Sequence, residues 1–216
     1  VAYADDYCDD FLRMWTRTTL ADALHQQGDT AAAQDLFTEA EALQVKQQTT
    51  YPMLYSLWGF RYGELLLRSA ERAAWQVSLA MQPPAEAAQS TCLQVSRRAV
   101  QTLEWTTRDS APLDIGLDNF TLARCALYQA LLAGQPPQGQ HLDDALNFLR
   151  RAGYQHLISR GLLTRAWFHH ARHDPDSARA DLAEAQRIAT RGGMKLHLAD
   201  IHLTRARLFH DPAELA

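Results

Sequence analysis

No stretch of this 216-residue chain approaches the roughly 18 consecutive apolar residues that a membrane-spanning helix requires, although apolar residues make up a normal 47% of it. Cysteine is scarce as well. Cys8, Cys92 and Cys125 are odd in number, far apart and outside any CxxC pair. That argues against a disulfide framework or a cysteine zinc site, and makes a reducing cytoplasm the simplest home. The formal charge of −4 comes without a long like-charge run or a basic stripe, so neither nucleic acid nor an anionic membrane is an expected partner. Signatures of catalysis are missing too: there is no GxSxG nucleophile turn, no phosphate-cradling GxxxxGK and no GxGxxG after a strand. No enzyme and no cofactor is expected. Val1 opens the chain with no charged n-region or apolar signal segment, so the polypeptide is expected to be a piece of a longer one.

Sustained alternation of apolar and polar residues is also absent, and Val and Ile give way to Ala, Leu, Gln, Glu and Arg, the good helix formers. Helices are expected at about 10–27, 30–47, 52–69, 86–108, 112–133, 141–152, 156–172, 175–191 and 195–209, with a short one at 71–81. Pro52, Pro112 and Pro175 stand where a helix can begin, since a first-turn residue loses nothing by lacking an N–H. Asp174 and Asp29 or Thr30 are the expected N-caps, and Gly192-Gly193 the left-handed end of the helix before it. Two connections are long: GQPPQGQ from Gly134 to Gln140, and the region between Leu67 and Val95, which carries the insertion PPAEAAQ.

Internal repetition decides the architecture. TLADAL at Thr19 to Leu24 recurs as TLARCAL at Thr121 to Leu127, and LTRA occurs at Leu163 to Ala166 and again at Leu203 to Ala206. Ala21, Gly63, Ala123, Ala166 and Ala206 then share a register, with spacings of 42, 60, 43 and 40 residues, the long one containing the insertion. A second signature is small, large, small at i, i+4 and i+7: Ala33, Phe37, Ala40, then Ala145, Leu149, Ala152, then Ala178, Leu182, Ala185. These positions lie along one helical face, where a small residue admits the partner helix and the larger one fills the groove that remains. Phe37 is expected to pack against the first helix near Ala21 and Leu24.

With Gly28 between its helices, Ala21 before it and Ala33, Phe37 and Ala40 after, the opening hairpin resembles a tetratricopeptide repeat. The resemblance covers 10–47 and 156–192 best, 112–152 less closely and 53–108 only through Gly63 and the apolar spacing. YPMLYSLWGFRYGELLL, RAVQTLEW and GLLTRAWFHHARHDPDSARADL further resemble a bacterial group of tetratricopeptide proteins whose arrays often sit behind a signalling or NTP-hydrolysing domain. The resemblance implies an all-α, open right-handed superhelical solenoid of helix hairpins over 1–216. Its hairpins would lie at about 10–47, 52–108, 112–152 and 156–192, with an incomplete one from 195. Val1 to Asp6 would be the tail of a preceding helix, and self-association through the terminal helices is open to such an array.

What that family does implies a non-catalytic scaffold that holds a peptide or a neighbouring domain against its first helices. The candidates carried over are Trp15, Asp22 and His25, then Glu64 and Arg68, then Arg124 and Tyr128, then Arg160, Trp167 and His170, with Phe60 and Phe120 beside them. Aromatic plus arginine is the composition that anchors interfaces. Arg124 and Arg160 are expected to be accessible and to suit an acidic peptide, with Glu64 and Asp22 of opposite sign further along. The alternative for Phe60, Phe120 and Trp167 is burial between hairpins. A sensor arm of a multidomain signalling ATPase is the second functional reading. A metal or enzymatic site at His169 and His173, an i,i+4 pair beside His170 and Asp174, is the third and weaker one, because no Glu completes an HExxH frame and the register makes His169 core and His173 turn. Asp5-Asp6, Asp9-Asp10 and Asp143-Asp144 stand beside helix starts, where carboxylates serve as caps and dipole partners.

Overall fold

Asp9 and Asp29 each turn a carboxylate back onto the amide three residues on, Leu12 and Ala32 at 3.0 and 3.2 Å, and so start the first two long helices. The computed structural model describes residues 1–7, 9–81, 86–106 and 111–210. Ten helices lie among them: α1 (Ala2–Tyr7), α2 (Asp10–Gln27), α3 (Thr30–Gln47), α4 (Ser56–Ser78), α5 (Glu86–Trp105), α6 (Pro112–Leu132), α7 (Gln140–Ala152), α8 (Gln155–Ala171), α9 (Pro175–Arg191) and α10 (Lys195–Phe209). No strand occurs among the described residues. No described helix is long and apolar enough to cross a membrane.

Most boundaries follow the periodicity, and the local reasons are visible. Gly28 closes α2 at φ +92°, a left-handed conformation that costs glycine little, and Asp174 caps α9 through Ser177 N–H at 3.1 Å with Pro175 in the first turn. One region differs from expectation. The helices expected at 52–69 and 71–81 form a single helix, α4, because Ala70, Glu71, Arg72, Ala73 and Ala74 are helix formers with no glycine or proline among them to stop the ladder. Pro52 does not open it; α4 starts at Ser56, whose hydroxyl donates to Asp114 of α6. Gly193, at φ +63°, carries the left-handed end of α9, while Gly192 stays right-handed. α5 ends at Trp105, short of the expected 108, with Thr106 already outside the helix; Cys8, Pro83-Pro84 and residues 107–108 lie outside the described residues.

The helices pack in sequence order. α2 lies on α3, α6 on α7 and α8 on α9, while α5 packs on both α4 and α6. The first members also meet one another: α2 with α4, α4 with α6, α6 with α8 and α8 with α10. Small residues mark these approaches, with Ala21, Ala33, Ala40, Ala145, Ala166, Ala178 and Ala185 all fully buried. Phe37 fills the groove between α2 and α3 among Met14, Ala21, Ala33 and Ala40, with Leu24 at the margin, and stacks on Tyr62 of α4 at 4.9 Å between centroids.

Candidate functional site

Four first helices, α4, α6, α8 and α10, supply every described side chain around a cleft of about 180 Å³; none comes from a second helix. The wall includes Glu71 and Trp75 from α4, Arg124 and Tyr128 from α6, Arg160 and Trp167 from α8, and Asp200 and Arg207 from α10. Spacings of three, four and seven residues keep these positions on one face of each helix.

A charge network forms its floor. The carboxylate of Glu64 accepts from Arg124 and from Arg160, and Arg124 also reaches Glu71 at 2.8 Å and the Tyr128 hydroxyl at 3.0 Å. Burial pushes the Glu64 carboxyl up, but the two guanidiniums of Arg160 and Arg124 more than reverse this and hold it at about 2. Arg124 is likewise held protonated, against its burial, by Tyr128, Glu64 and Glu71.

The network corrects an expectation. Arg124 was to be accessible on the wall, yet it is 5% exposed, and Glu64, Tyr128 and Trp167 are buried with it. The reason is that α4 and α8 reach each other over α6. Glu64 pairs with Arg160, Trp75 stacks on Trp167 at 3.6 Å, and Trp167 Nε1 donates to Ser78 Oγ at 3.3 Å. Phe60 and Phe120 stack at 5.8 Å beneath them, the buried alternative for these rings, with Arg160 over Phe60. A peptide cannot lie against Arg124 without displacing this cover. Arg160 keeps a third of its side chain exposed, and with Glu71 it is one of the two members of the network that face solvent.

The remaining candidates lie outside this cleft. Trp15 is 49% exposed on α2, close in register to the equally open Phe11, which packs edge-on against Trp58 of α4. Asp22 pairs with Arg61 at 3.2 Å, and exposed Arg68 reaches Thr30 at 3.4 Å. His25 is half-buried, its Nδ1 without a hydrogen-bond partner among the described residues, and burial lowers its basicity. His170 lies at the far end, against Phe209. Among the described residues no three His, Cys, Asp or Glu side chains are placed to hold a metal. His169 instead sits between Asp174 and Asp181 at 3.8 and 3.7 Å, half-buried, and His173 occupies the turn at φ +62°.

Glu71, Trp75, Asp200 and Arg207 are the wall residues that sequence reasoning missed. Glu71 and Trp75 continue the Glu64 face by two turns and three, a relation hidden when α4 is divided at residue 70. Arg207 and Asp200 stand one repeat after Trp167 and Arg160 in the register shared by Ala166 and Ala206. Arg207 lies 4.9 Å from the Trp75 ring and makes no ion pair or hydrogen bond among the described residues. Burial lowers its proton affinity, against Glu71 and Asp200, and burial likewise raises the Asp200 carboxyl. The chain matches no family model, no curated protein and no solved structure.

Proposed function

We propose that this chain is a non-catalytic interaction module, a tetratricopeptide-like array whose helix pairs wind into a right-handed solenoid and whose first helices receive a peptide or a neighbouring domain. The observation that carries this reading is the origin of the cleft wall: all of it comes from the first helices of successive pairs. Such a wall is one-dimensional, so each added pair extends the binding face without altering the rest. The filled centre over α6 divides the face. Partner contacts fall on Trp15, Asp22, His25 and Arg68 at one end and on Arg160 and Leu203 at the other.

A few anchors of this kind, each worth about 1–3 kcal/mol, correspond to affinities on the order of micromolar. The test is selection of binders from a displayed library of random peptides, followed by calorimetric titration of the winners. Leu203 lines the cleft and is 37% exposed, so Leu203→Arg blocks the face without disturbing the core. Selected peptides are expected to lose about tenfold or more in affinity for Leu203→Arg at unchanged helical content. A library that yields no binder, or binders blind to both Leu203→Arg and Trp15→Ala, refutes the reading.

A further inference from the structure

The C-terminal ends of α4, α6, α8 and α10 surround a second cleft of about 720 Å³, the size of a small-molecule site. Trp75, Trp167 and Arg207 border both clefts. Beyond them the linings diverge in charge. The second cleft holds two arginines, Arg172 and Arg207, and three histidines, His170, His173 and His210, and no carboxylate among its described lining residues. Leu131, Pro136 and Leu208 supply apolar lining.

Helix C-termini bring negative potential, which works against an anion here. Three of the four are answered locally. Met81 N–H returns to Gln76 O at 2.8 Å, Gln135 N–H to Ala130 O at 2.8 Å and Asp174 N–H to His169 O at 2.9 Å. Burial holds His170 below the ordinary imidazole range against one hydrogen bond to the Leu208 backbone, with smaller contributions from His210, His173 and Arg179. The excess of positive charge comes from the lining itself, Arg172 and Arg207 without a described carboxylate.

Arg207 is the centre of this excess. Trp167 covers one face of Trp75, so the Arg207 guanidinium near that ring lies on the other, and its N–H donors have no acceptor among the described residues. The carboxylates that act on it from a distance are Glu71, already paired to Arg124, and Asp200, and neither forms an ion pair with it among the described residues. Arg172 commits one nitrogen to Pro137 O at 3.0 Å and retains other donors at the exposed rim.

We propose that this cleft binds a small amphipathic monocarboxylate, its acidic group on Arg207 with Arg172 and the histidines around it, its apolar body along Leu131, Pro136 and Leu208. A guanidinium fork matches a carboxylate in shape as well as charge. The helix C-termini favour a single negative charge over a phosphate dianion, and the apolar lining requires a hydrocarbon body. This ligand site goes beyond the peptide-binding face, which Leu203→Arg reports separately.

The probes are 2-naphthoate, its neutral isostere 2-naphthamide and inorganic phosphate, titrated calorimetrically into the full chain at neutral pH. Naphthoate is expected to saturate one site at roughly 0.1–1 mM, with naphthamide and phosphate weaker by about tenfold or more. Arg207→Gln should weaken naphthoate about tenfold. Gln135→Glu, an exposed rim substitution that leaves packing untouched, should weaken it about fivefold by placing a like charge beside the ligand. Should Arg207→Gln lose helical content, Gln135→Glu decides the matter. The proposal is overturned if naphthoate binds no more tightly than naphthamide, or if Gln135→Glu leaves its affinity unchanged.

Discussion

Trp75 of α4 and Trp167 of α8 stack with their centroids 3.6 Å apart and planes 10° from parallel, although no Cα of α4 lies within 8 Å of one in α8. Their side chains meet across α6, as do those of Glu64 and Arg160. These contacts bury the middle of the face shared by α4, α6 and α8 and leave the clefts beside the stack open.

The Glu64 network should respond unequally to removal of its members. Glu64→Gln leaves two guanidiniums without their shared counter-ion in a buried place and is expected to cost about 3 kcal/mol or more. Arg160→Gln loses a partly exposed partner while Arg124 still neutralises Glu64, so about 1 kcal/mol is expected. Urea titration of the two proteins orders them. Equal midpoints would mean that the network carries no such asymmetry. Arg124→Glu sets three carboxylates together and should prevent folding.

Phe37→Ala removes a fully buried ring from between α2 and α3 and its stack on Tyr62. A cost of about 3–5 kcal/mol is expected. That corresponds to a thermal midpoint lower by about 6 °C or more, followed by circular dichroism.

Asp118 gives a pH dependence of unusual sign. Burial raises its carboxyl to about 7, with Asp114 adding to the effect and the 2.8 Å hydrogen bond from Thr102 opposing it. The native state therefore holds a proton that the unfolded chain, titrating near 3.8, has released. Stability from this group falls as pH rises from about 4 to about 7 and is level above that. Asp118→Asn should stabilise the protein at pH 8 and make no difference near pH 4. Glu64 runs the opposite way: its folded value near 2 lies below the ordinary 4.5, so its contribution is present above about 4.5 and disappears as pH falls toward 2.

Two glycines of α4 should part company. A Cβ on Gly63 would meet Thr121 at 3.7 Å, ordinary contact, so Gly63→Ala should stabilise by about 0.5–1 kcal/mol. One on Gly59 would lie 2.4 Å from the Leu54 carbonyl oxygen, which is backbone and cannot turn aside. Gly59→Ala should destabilise by about 1–3 kcal/mol in a thermal melt.

Residue order alone determined the helices and their pairing faces, because capping, helix propensity and the small-large-small spacing are local and repeat every turn or every pair. Asp29, Gly28, Ala33 and Phe37 say the same thing at each level. The same local logic failed at Pro52, where the helix starts four residues later at Ser56, and at residue 70, where a run of good helix formers outweighed the expected break. Which wall residues would face solvent was settled only in three dimensions. Arg124 and Trp167 hold the expected face of their helices, yet they are covered by side chains of α4, Glu71 and Ser78, 53 and 89 residues away. Periodicity assigns a side chain to a face; what lies above that face is a property of tertiary packing, and it left Arg160 and Arg207, not Arg124, as the arginines on the open side.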